Sequence, residues 1–120
     1  GAARAKETAE ILAAAWRGEV ELREQAWLYD ASLSALIDHT RALGREHKRA
    51  GLVGHNPGLG ELATALAGSG AELDMRHLAK YPTGAVAVLE FSIQRWSDIA
   101  RNAGMLALYL TPAELEAEAD

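Results

Sequence analysis

Ala50–Gly60, AGLVGHNPGLG, is the stretch from which the fold of this chain is read. A short apolar run, Leu52 and Val53, ends at Gly54. His55, Asn56 and Pro57 follow, and beyond them Leu59, Leu62, Ala63 and Leu66 recur at helical spacing. The pattern predicts a strand, a tight turn and a helix. Asn56 suits the N-cap, where its side-chain oxygen accepts from an orphan amide of the first turn, and Pro57 suits the next position, where no amide hydrogen is needed. His55 is thereby placed between the C-terminal end of a strand and the N-terminal end of a helix. In open α/β sheets ligands bind at that edge, and the free amides and partial positive charge of a helix start favour an anion such as phosphate. A histidine in such a turn can equally serve packing alone.

Around this unit stand 120 residues that are 49% hydrophobic, enough for a single domain with one core. Cysteine is absent, which excludes disulfides and a thiolate zinc site and leads to the expectation of a cytoplasmic setting. No apolar stretch approaches the roughly 20 residues of a membrane span, and the first residues do not read as a signal peptide. A net charge of −5 argues against general nucleic-acid affinity, so an anion site must be a local pocket.

Upstream, AARAKETAEILAAAWR is rich in strong helix formers, with Thr8, Ile11, Leu12, Ala15 and Trp16 on one face. Arg4 lies one turn before Thr8 on nearly the same side, where a guanidinium needs an anionic partner; escape to solvent and pairing with Glu7 are the alternatives. EVELREQAWLY (19–29) reads as a short exposed strand or an irregular loop. Asp30 and Ser32 both suit a cap for the next helix, whose stripe is Leu33, Leu36, Ile37, Thr40 and Leu43. His39 falls off that stripe, and His47 lies in GREHKRA, a solvated connector.

Downstream, Gly68-Ser69-Gly70 reads as a stop, and Ala71–Tyr81 has no clear period. PTGAVAVLEF (82–91) is apolar on both faces and predicts a central strand. Met105–Leu110, after the turn-like Asn102-Ala103-Gly104, predicts its antiparallel partner. Thr111, Pro112 and Glu114 follow the pattern of a capping box.

Taken in order, RAKETAEIL (4–12), LYDAS (28–32), LVGHNPGLGELA (52–63), YPTGAVAVLEF (81–91), Trp96 and Met105–Pro112 resemble the SixA-like phosphohistidine phosphatases. These belong to the histidine phosphatase (phosphoglycerate mutase-like) superfamily, and the resemblance covers nearly the whole chain. It implies an α/β fold with a mainly parallel sheet flanked by helices and a C-terminal antiparallel strand pair. Arg4, from RAxxTA, would hold the phosphate, His55 would be the second pocket histidine that binds and polarises it, and Asn56 would complete the phosphate-binding set. The two side chains are expected to converge on one pocket. No metal or cofactor is implied. The partner implied is a protein carrying phosphohistidine or a small phosphomonoester.

The chain departs from that family at its front. The expected first strand, ending in an Arg-His nucleophile, has no counterpart ahead of Arg4, so the domain reads as N-terminally incomplete and inactive alone. The sole Arg-His pair, Arg76-His77, falls where the family has no nucleophile, and His77 reads as a surface residue. In the implied chemistry a nucleophilic imidazole attacks phosphorus in line, arginines and the second histidine stabilise the phosphoryl oxygens, and water hydrolyses the phosphoenzyme. Glu19, Glu21, Glu24 and Asp30 are the carboxylates near the place of a general acid, and none stands out. The alternative is a non-catalytic phosphate- or phosphoprotein-binding module derived from the same fold. With the first strand missing, Ala50–Val53 is expected to leave an unpaired edge that invites self-association.

Overall fold

The computed structural model describes residues 2–15, 21, 23, 25, 31–54 and 56–114, the first four by their backbone only. α1 (Ala2–Ala15) forms from the alanine-rich run. α2 (Leu33–Arg41) opens at Ser32, whose hydroxyl accepts from the Ala35 amide at 3.2 Å, which decides between the two caps in favour of Ser32. α3 (Gly58–Leu66) runs directly into β1 (Ala67–Gly70), followed by α4 (Glu72–His77) and a 3₁₀ turn at Leu78–Lys80. β2 (Val86–Glu90), a second 3₁₀ turn (Trp96–Asp98) and β3 (Gly104–Leu110) complete the described elements. Among the described residues, no helix is long and apolar enough to cross a membrane.

The architecture is α/β. One sheet has the strand order β1-β3-β2, parallel between β1 and β3 and antiparallel between β2 and β3. α3 lies between two cores. Leu62 and Leu66 join Leu36, Ile37 and Ile99, while Ala63 joins Ala67, Leu78, Leu106 and Tyr109. The spacing explains this: residues four apart on a helix share a side, and the adjacent pair of positions serves the neighbouring side. Leu89 of β2 touches both clusters. Leu78 is only 2% exposed, and burying such a side chain contributes about 1.5–3 kcal/mol.

The sheet is mixed where a mainly parallel one was expected. Ala50–Gly54 joins no ladder among the described residues. Leu52 is instead packed as a single, partly buried side chain against the α2–α3 cluster, without a strand. The expected open edge at Ala50–Val53 accordingly has no strand to belong to. Conversely, Gly68-Ser69-Gly70, read as a stop, is part of β1. Its low strand propensity is overridden by pairing with β3, which the glycines permit by close approach. A Cβ on Gly68 would collide with the backbone carbonyl of Asn102, whose own amide donates to the Ala65 carbonyl at 2.8 Å.

Two further expectations are corrected. β3, not β2, is central, and β2 forms an edge with Val86 and Val88 turned to the same open face as Leu108. Two-faced apolarity in β2 therefore reflects one half-buried face, Ala87 and Leu89, packed against the core, and one open one. The stripe assigned to α1 is also open, with Ile11 64% and Leu12 42% exposed. Among the described residues, neither core cluster includes one from α1, whose alanine-rich run favours a helix by propensity. The predicted antiparallel β2–β3 pair is present, and the Glu114 amide donates to the Thr111 hydroxyl at 3.4 Å, as a capping box requires.

Gly68→Ala should lower stability by about 1–3 kcal/mol through backbone collision, seen as a lower urea midpoint, whereas Ala at exposed Gly51 should leave it within about 0.5 kcal/mol.

Candidate functional site

The start of α3 is built by Asn56. Its side-chain oxygen accepts from the Gly60 amide at 3.2 Å, and its side-chain nitrogen donates to the Tyr81 carbonyl. Pro57 occupies the cap position and Gly58 the first helical one, a single-residue shift from the sequence reading, with Asn56 still capping an orphan amide from just outside the helix. The Glu61 amide closes the first turn on the Pro57 carbonyl at 3.0 Å. Gly58 and Leu59 precede Glu61, the first amide to donate within the helix, so helix geometry gives their amides no acceptor inside α3, at the positive end of its dipole.

Tyr81 is the residue at this site that the sequence reading missed. Its φ of 26° and ψ of 70° lie in the left-handed region, which a non-glycine residue holds only when its surroundings enforce it, at a cost of order 1–3 kcal/mol. Three contacts enforce it here. Asn56 binds its carbonyl, its ring lies 6.0 Å from that of Tyr109, and its Cβ sits so close to α3 that a Cβ on Gly60 would approach it to 3.0 Å. Burial pushes the Tyr81 phenol above its ordinary pKa, so it stays neutral at physiological pH. The sequence signal was the turn cluster Pro82-Thr83-Gly84 immediately after it.

His55 and the side chain of Arg4 lie outside the described residues, and so does their expected convergence. Arg4 is placed by its backbone in the first turns of α1. Asn56 uses its oxygen and one amide hydrogen within the fold, which leaves one hydrogen of the nitrogen for a ligand. Of the carboxylates considered for a general acid, Glu19, Glu24 and Asp30 lie outside the described residues. Glu21 is exposed and accepts from Arg23 at 2.8 Å, which holds its carboxyl below the ordinary range. A general acid needs the opposite shift, so Glu21 is poorly suited to the task.

His77 is exposed at the end of α4, as expected of a surface residue, and Arg76 pairs with Glu72 at 2.9 Å. The His77 carbonyl lies 3.5 Å from the Tyr109 hydroxyl, which donates to it. No protein-family model, curated protein or solved structure matches this chain.

Asn56→Ala removes the side-chain cap on the Gly60 amide together with the tie to Tyr81. A loss of about 1–2 kcal/mol is expected by urea denaturation. Asn56→Asp keeps the acceptor for Gly60 but faces a carbonyl with a carboxylate, and should recover only part of that loss.

Proposed function

We propose that this chain is the phosphate-binding portion of a SixA-like histidine phosphatase, hydrolysing phosphohistidine on a partner protein through a phosphohistidine enzyme intermediate. The carrying observation is the start of α3. Asn56, outside the helix, caps the Gly60 amide and is tied to the Tyr81 carbonyl, and the Gly58 and Leu59 amides have no acceptor within α3. That arrangement is suited to an anion, and a histidine next to Asn56 in sequence suits phosphate in particular. The ordered strings from RAKETAEIL to the last strand support the same reading, including the larger parallel sheet into which the parallel β1–β3 pair would fit.

In the proposed reaction Arg4 and His55 bind the phosphoryl oxygens while the charge on them grows. An imidazole leaving group makes weak demands on a general acid, in keeping with the absence of a suitable one at Glu21. The non-catalytic phosphate- or phosphoprotein-binding module remains as the second reading, favoured by one observation: Arg76-His77, the sole Arg-His pair of the 120 residues, lies on the helix α4, where the family has no nucleophile.

Calorimetric titration with inorganic phosphate or vanadate tests both readings. His55→Ala and Arg4→Ala should each weaken binding roughly 10- to 100-fold, the worth of one hydrogen bond to a charged group. Unchanged affinity in both variants would remove the site. The chain itself should show no turnover of a phosphohistidine peptide above background, and turnover that vanishes in His77→Ala would move the nucleophile to α4.

A further inference from the structure

Charge is distributed unevenly over this molecule. Arg41–Arg49 and Arg95–Arg101 together hold six of the twelve basic residues and two of the seventeen acids, so these two segments carry +4 while the rest of the chain carries −9. The fold brings them together. The Trp96 indole donates to the His47 carbonyl at 2.7 Å, and Arg41 Nε donates to the Ile99 carbonyl at 2.8 Å. Trp96 also packs against the α2–α3 core, which fixes the distance between the segments.

Most of the cations on these segments are displayed. Arg45, Lys48, Arg49, Arg95 and Arg101 are all exposed. Arg95 is paired with Asp98 at 3.6 Å, whereas Arg45, Lys48 and Arg101 have no acid partner among the described residues. The neighbouring Glu21–Arg23 pair carries both signs and leaves the balance unchanged.

We propose that this basic face docks an acidic protein surface, and that the docked protein is the one delivering its phosphoryl group to the α3 turn. Only the second clause rests on the proposed function. A nucleic acid fits less well, for two reasons. A long polyanion would run from the basic face onto a remainder of strongly negative charge. The aromatic ring at the patch, Trp96, is half-buried in the core with its N–H committed, and offers no stacking platform.

The test is fluorescence anisotropy with labelled polyglutamate at low ionic strength, beside labelled duplex DNA and an inorganic phosphate titration. Polyglutamate should bind saturably and be released by salt, because charges on this face are screened within about 10 Å at 0.1 M. The Arg45→Glu/Lys48→Glu variant should weaken it about tenfold or more, the sum of two reversed surface pairs. Arg76→Glu, on α4, changes net charge equally per site and should have little effect. No polyglutamate binding, equal loss in Arg76→Glu, or tighter binding of the duplex would overturn the proposal. Failure of phosphate to bind while polyglutamate still does would overturn the phosphatase reading and leave the docking face in place.

Discussion

The two-sided burial of α3 is the constraint on which the remaining structure depends. Nine residues supply Leu62 and Leu66 to one cluster and Ala63 to the other, and the chain then passes without a loop into β1, whose Ala67 continues the second cluster. Because one helix separates both cores, its axis fixes where α2 sits on one side and where the sheet sits on the other. The alanines matter as much as the leucines. Their small size brings the second cluster close enough for Leu78 and Tyr109 to fill it, and interiors packed to crystal-like density tolerate little adjustment.

The same helix couples fold to site. Its buried sides hold it rigid, and its N-terminal end is fastened by Asn56 to a strained residue, Tyr81, from a distant part of the chain. Gly60 permits the approach, since a side chain there would press on Tyr81. A helix start held in this way is pre-organised, since its backbone is ordered by contacts within the fold. The left-handed conformation of Tyr81 is the corresponding cost, offset by the aromatic contact with Tyr109 and the packing of the second core.

Away from that helix the molecule shows two kinds of surface. On the α2 side, hydrogen bonds from Trp96 and Arg41 to backbone carbonyls lock cation-bearing segments into one face. Such bonds use neutral acceptors, so they hold the segments together without adding an acid to the face. On the sheet side, Val86, Val88 and Leu108 share an open face, and α1 displays Ile11 and Leu12. Apolar groups in those positions contribute little to the stability of the described fold, which rests on the two clusters around α3.

Local chemistry determined much of this in advance. The periodicity of Leu33–Leu43 and Leu59–Leu66 placed α2 and α3, Ser32 and Asn56 were legible as capping residues, and the apolar runs PTGAVAVLEF and Met105–Leu110 placed β2 antiparallel beside β3. The cap that opens α3 was likewise written in GHNPG, because Asn56 and the helix it caps are neighbours in sequence. What tertiary structure alone decided were the features that depend on distant partners. Gly68-Ser69-Gly70 became a strand because β3 was there to pair with it, Leu52 and Val53 stayed outside the sheet because the α2–α3 cluster took Leu52 as a side chain, and Tyr81 joined the site because Asn56 reached its carbonyl. Propensity and periodicity act over a few residues, whereas strand pairing and side-chain burial are settled by whichever surface the folded chain brings near.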